Sequence, residues 1–254
     1  MHRVNREQYA SRFQGSTIIL ILIAIITISM LVVGLKLIPT PAPSSETFGL
    51  DNWILLHVFE VLGFVALSMS IVHSLRVYGK EQTIIFFPSC FLYGLLLELP
   101  FSSYNQNAWI KVGPYGSMLA VVAGWCVVNY ALFFISRKIN CSLSIIGRGV
   151  LSGLIGITID LPLDPIAFAY GLWYWEPIFF GYPIATTFYG VPVINFINWF
   201  YTISLFIMFQ GYLERSVYTL KTKFLISILA IPLLAVAVLV ISYTTVYVMF
   251  LLRV

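Results

Sequence analysis

Residues 224–251 read FLISILAIPLLAVAVLVISYTTVYVMFL, a run without a single Asp, Glu, Lys or Arg. About 20 apolar residues in a helix cross a hydrocarbon core about 30 Å thick, so this stretch spans a bilayer with residues to spare. Working back along the chain, comparable runs stand at 191–213, 143–162, 114–136, 83–101, 53–75 and 16–38. Together they predict an all-α fold, a polytopic membrane bundle of about seven transmembrane helices forming one domain over residues 1–254. The run at 16–38 is longer than the 7–15 residues of a signal-peptide core and reads as a retained first helix.

Composition agrees. The chain is 60% hydrophobic and 9% charged, with a mean hydropathy of +0.94. A soluble domain is about 25% charged, so this chain has too little polar surface to cover a water-facing globule. Its 15 Tyr and 6 Trp suit two interfacial belts. The net charge of +4 comes from scattered loop residues and implies no nucleic-acid partner. Cys90, Cys126 and Cys141 lack metal-type spacing and predict no disulfide framework.

Loop charges orient the bundle. With the N-terminus inside, Arg3, Arg6, Arg12, Arg76, Lys80, Arg137, Lys138, Arg148, Arg215, Lys221 and Lys223 fall inside, and Lys36, Lys111 and Arg253 outside. Eleven against three follows the positive-inside rule, and a count of six spans would break the alternation. The expectation is N-inside, C-outside, in the cell membrane as a multi-pass protein, with the lipid bilayer as its first partner.

Two outer loops are long. Residues 39–52, with Pro39, Pro41, Pro43, Ser44 and Ser45, read as a connector. Residues 161–190 carry Trp173, Trp175, Tyr182 and Tyr189 with no Lys or Arg, and predict a short helix or re-entrant cap folded onto the bundle. A parallel internal repeat is also expected. Glu98-Leu99-Pro100 and Asp160-Leu161-Pro162 each close a span, and each following span holds Gly and Trp nine apart, Gly116 to Trp125 and Gly190 to Trp199.

Ionisable groups at membrane depth mark functional candidates. His57 and Glu60 share one helix face and read either as the start of a metal site or as an internal hydrogen bond. His73, beside Arg76, reads as interfacial. Asp160 and Asp164 are four apart. If the helix continues, both project from one face, at the depth of Glu98, under the aromatic loop. Three carboxylates crowded in an apolar site cannot all ionise, so one stays available as a general acid. Alternatively Asp164, followed by Pro165, is an N-cap opening a helix across 165–175. Trp173, Trp175, Tyr189 and Trp199 offer ring faces to a cation, or form an interfacial belt. Asn195, Asn198 and Asn129 read as packing glue between helices. The last span holds no mid-depth lysine for a retinal Schiff base, and no Walker loop, Gly-x-Ser-x-Gly or His-Glu-x-x-His occurs. Asp160/Asp164 has the Asp-x-x-x-Asp spacing of membrane prenyltransferases, but only once and without basic neighbours.

The series Asp160-Leu161-Pro162-Leu163-Asp164-Pro165, Gly171-Leu172-Trp173-Tyr174-Trp175 and Tyr189-Gly190-Val191-Pro192-Val193-Ile194-Asn195-Phe196 with Trp199 resembles the membrane-bound carotenoid biosynthesis proteins. These are the carotenoid 1,2-hydratases typified by bisanhydrobacterioruberin hydratase and γ-carotene 1′-hydroxylase. The resemblance covers about residues 94–200, with Glu98 matching an acidic residue of that family. The chain departs from the pattern at FSSYNQNAWI, residues 101–110, and at Asn198, where the family has Gly. The resemblance implies hydration of a terminal C=C of an acyclic carotenoid through a carbocation, with no redox cofactor and no metal. Asp160, Asp164 and Glu98 would be catalytic. Trp173, Trp175, Tyr189, Asn195 and Trp199 would bind a polyene entering from lipid, and other carotenoid enzymes would be partners. Another isoprenoid-lipid enzyme (cyclase or prenyltransferase) and a transporter or carotenoid-binding protein remain alternatives.

Overall fold

The computed structural model describes residues 50–100, 107–113, 116–139, 143–175, 178–183 and 187–252. The span expected at 16–38, nearly all of the 39–52 connector, Cys141 and Arg253 lie outside the described residues. Six helices are described: α1 (Leu50–Val77), α2 (Gly79–Glu98), α3 (Leu119–Ile139), α4 (Ile145–Ala169), α5 (Val193–Arg215) and α6 (Leu220–Leu252). Three antiparallel ladders of two residues per strand connect them: β1 (Lys111–Val112) with β2 (Ser117–Met118), β3 (Ile178–Phe179) with β4 (Tyr182–Pro183), and β5 (Thr187–Phe188) with β6 (Val191–Pro192).

Five of these helices are long and apolar enough to cross a membrane; α2 is not, although a span was expected there. Lys80, Glu81 and Gln82 at its start and Glu98 at its end shorten its apolar middle. α2 packs against α1, α3, α5 and α6, and buries Phe86, Cys90 and Tyr93 in the main core. A helix enclosed by protein does not depend on a wholly lipid-compatible surface.

The sharpest departure lies in α4. Its predicted end at residue 162 is overrun, and the helix passes Pro162 and Pro165 to reach Ala169. Proline removes one backbone donor, which inside a bundle is tolerated when neighbouring groups satisfy the freed carbonyl. Asp164 is therefore a helix-interior residue, not the N-cap of a helix over 165–175. At the other end Ser144 caps α4, its Oγ accepting from Gly147 N–H at 3.0 Å.

α4 and α5 form the most extensive helix pair. Small residues on α4 permit it: a Cβ on Gly149 would lie 2.8 Å from the Ser204 carbonyl oxygen, and one on Gly153 2.9 Å from that of Phe200.

The aromatic segment forms hairpins rather than a short helix. Phe180-Gly181 (φ 50° and 84°) and Tyr189-Gly190 (φ 48° and 83°) make two-residue turns with both φ positive, as tight hairpins require. β1–β2 likewise displaces the start of the span expected at 114, and α3 begins at Leu119. Gly116 and Gly190, both with positive φ, each precede a two-residue strand that enters a helix, and the Trp nine residues on from each meets the other in space.

Cavities mark the two ends of the bundle. One joins the ends of α2 and α4 to the starts of α3 and α5. The other joins the ends of α3 and α5 to the starts of α2, α4 and α6. Among the described residues, Lys111 is the basic residue of the first end; Arg76, Lys80, Arg137, Lys138, Arg148, Arg215, Lys221 and Lys223 belong to the second.

Candidate functional site

Continuation of α4 through its prolines puts Asp160 and Asp164 one turn apart, both buried. The α5 residue Asn195 faces them. Its Nδ2 donates to Asp160 Oδ2 at 2.9 Å and also to Asp164 Oδ2. Asn195 sits in the first turn of α5, where unpaired N–H groups carry positive partial charge suited to carboxyl neighbours. Two buried carboxyls bridged by one amide cannot both ionise without a large penalty. Asp160 Oδ1 is buried without a hydrogen-bond partner among the described residues.

Glu98, the last residue of α2, is held from two sides. Its Oε1 accepts the indole N–H of Trp125 at 2.6 Å, and its backbone carbonyl accepts Ser117 Oγ–H at 2.9 Å. Glu98 and Asp164 line one cavity of about 370 Å³. Phe59, Trp125, Trp173, Tyr174, Trp175 and Trp199 provide aromatic walls, with Asn195 and Asn198 among the polar lining. Trp125 and Trp199 lie with centroids 4.8 Å apart and planes tilted 39°; Phe59 meets Trp173 edge-on at 5.8 Å. Among the described residues no Lys, Arg or His lines this cavity.

Most of the expected set thus converges: Glu98, Asp164, Trp173, Trp175, Asn195 and Trp199 line the cavity. Asp160 does not line it and is joined to Asp164 through Asn195. Tyr189 is not brought in. It occupies a hairpin turn, its side chain is 70% exposed, and it stacks edge-on against Phe188. Two further residues line the cavity. For Trp125 the one signal in the sequence is its spacing from Gly116, which Gly190 and Trp199 repeat. Asn198, where packing glue is expected, has an Oδ1 without a partner among the described residues.

The other polar groups have local duties. Glu60 Oε2 lies 2.8 Å from His57 Nδ1, and its Oε1 accepts Trp109 N–H at 2.9 Å, tying α1 to the segment before β1. Among the described residues no third metal-type ligand joins them. His73, expected at the interface, is fully buried with Nδ1 2.5 Å from Tyr130 Oη. Asn129 donates to the Trp125 carbonyl one turn back.

The family profile described as Carotenoid biosynthesis protein matches residues 55–253. That range takes in α2 to α6, all of α1 after its first five residues, and the whole cavity. No curated protein and no solved structure matches the chain.

Proposed function

The chain belongs to the carotenoid biosynthesis protein family, and from that premise we propose that it hydrates a terminal C=C of an acyclic carotenoid to a tertiary alcohol. One observation carries this reading: a buried carboxyl pair bridged by Asn195 presents Asp164 to an aromatic-walled cavity, with Glu98 on the same lining.

An isolated trisubstituted alkene is a weak base, so protonating it needs an acid held away from water. The proton shared by Asp160 and Asp164 is transferred through Asp164 to the less substituted alkene carbon. A C–H bond forms, the π bond is consumed, and a tertiary cation is left on the neighbouring carbon. The faces of Trp125, Trp173 and Trp199 stabilise that cation, each by about 0.5–2 kcal/mol when dry. Glu98 orients a water molecule. Its oxygen adds to the cation, and the proton it releases restores the carboxyl pair. The net change is addition of one water. About 370 Å³ is within the range of small-ligand sites and suits the end of a long polyene rather than its whole length. The rest of the substrate lies in lipid.

The lining disfavours a diphosphate substrate, which would find no Lys or Arg partner among the described cavity residues. The test is whole-cell pigment analysis in a host accumulating acyclic carotenoids with open ends. A product heavier by one water, lost in Asp164→Asn at matched expression, supports hydration. Well-expressed protein that leaves the pigment mass unchanged refutes it for that substrate. An altered carotenoid of unchanged mass points to a cyclase.

A further inference from the structure

We infer that the basic end of the bundle holds a second binding site, one that takes the phosphate of an anionic lipid headgroup. The cavity there measures about 530 Å³ and lies at the opposite end of the helices from the carboxyl pair. Its walls carry Arg137, Lys138, Arg148 and Lys223, opposed by Glu81 and Glu214, so positive charge is in excess.

Arg137 is the built part of the site. Its Nη2 lies 2.5 Å from Glu214 Oε1, and the guanidinium stands over the rings of Tyr78 and Phe133, 5.1 and 5.2 Å from their centroids. A planar group clamped by an ion pair and two ring faces has a fixed orientation. Its Nη1 is buried and has no partner among the described residues, and an unmade hydrogen bond there is costly. A phosphate oxygen would satisfy it. Lys223 Nζ donates to the Glu214 carbonyl oxygen at 3.3 Å, which leaves ammonium protons for a ligand. Burial pushes the Tyr78 phenol up to about 12, against the pull of Arg137, so the ring under the guanidinium stays neutral.

The surroundings favour a lipid over a free anion. Val217 is 99% exposed on the α5–α6 turn, and Ile146, Leu225 and Tyr212 are exposed on the helices beside it. A headgroup seated against Arg137 would lay its acyl chains along such side chains. Basic pockets between membrane helices are a recurrent form of headgroup recognition.

The full chain in neutral detergent is titrated with phosphatidylglycerol, phosphatidylcholine or inorganic phosphate. Its unfolding midpoint and its retained lipid by native mass spectrometry are recorded. Phosphatidylglycerol is expected to raise the midpoint and to stay bound, and the other two to do neither. Arg148→Gln and Lys223→Gln should each weaken retention about fivefold, the weight of one cation at an anionic surface. Both leave the Arg137–Glu214 pair intact. Equal responses to the two lipids overturn the proposal, as does phosphatidylglycerol retention unchanged in the double variant. A shift reproduced by inorganic phosphate alone makes this a free-anion site and overturns the lipid assignment.

Discussion

The indole N–H of Trp125 reaches Oε1 of Glu98 across 2.6 Å, and the same indole lies 4.8 Å from the ring of Trp199. One side chain thus both sets the angle of a cavity carboxyl and forms part of the aromatic wall. Trp125→Phe separates the two duties, because it keeps a ring face and removes the donor. A buried hydrogen bond to a carboxylate is worth about 1.5–3 kcal/mol, so hydration should slow by about 10–100-fold if the whole loss falls on the barrier. Product per unit of folded protein, with folding followed by detergent size exclusion, measures it. An unchanged rate would remove Glu98 from the chemistry.

Asp164 and Asp160 should differ in severity. Asp164→Asn removes the cavity-facing acid and should abolish product, while an amide can still hydrogen-bond Asp160. Asp160→Asn leaves the cavity-facing group in place but takes away its proton-sharing partner, and should retain measurable turnover. Pigment yields of the two variants side by side check the order. The reverse order would assign proton donation to Asp160.

Gly153→Ala tests the close approach of α4 and α5. The added Cβ would lie 2.9 Å from the Phe200 carbonyl oxygen and 2.7 Å from the Phe200 ring, neither of which yields cheaply. Overpacking of this kind costs about 1–3 kcal/mol. Because α5 carries Asn195 and α4 carries the carboxyl pair, activity should fall along with the thermal midpoint in detergent. A midpoint equal to wild type would mean that the helices separate without penalty.

Glu60→Ala should loosen the segment before β1, since Trp109 N–H then loses its acceptor while the His57 ring keeps its stacking on Trp109. Hydrogen–deuterium exchange over residues 107–113 should speed up, with α4 and α5 unaffected. An unchanged pattern would show that ring stacking alone holds the segment.

Much of the fold was legible because lipid imposes long apolar runs, and five of the described helices have them. α2 was read as one more span although polar residues bound it, because apolarity does not reveal which neighbours a helix has. The end of α4 was misplaced for a physical reason. Pro162 and Pro165 are stop signals for a helix exposed to water, and Asp164-Pro165 imitates a cap. Inside a bundle the same residues continue the helix, and only that continuation puts both carboxyls on one face. The hairpins of the aromatic segment were out of reach, since two-residue strands show no alternation. Tyr189 looked like its aromatic neighbours in the sequence, but its turn points it out of the cavity.

Asn195 is an economical choice for bracketing two acids. An amide nitrogen carries two hydrogens, one for each carboxyl, and gains or loses none at any pH the cell meets. A lysine or arginine in that place would pin both neighbours as anions and leave nothing to donate. In the proposed hydration the bracket would keep its shape while the proton beneath it departs and returns, and the scaffold would not need to be rebuilt between turnovers.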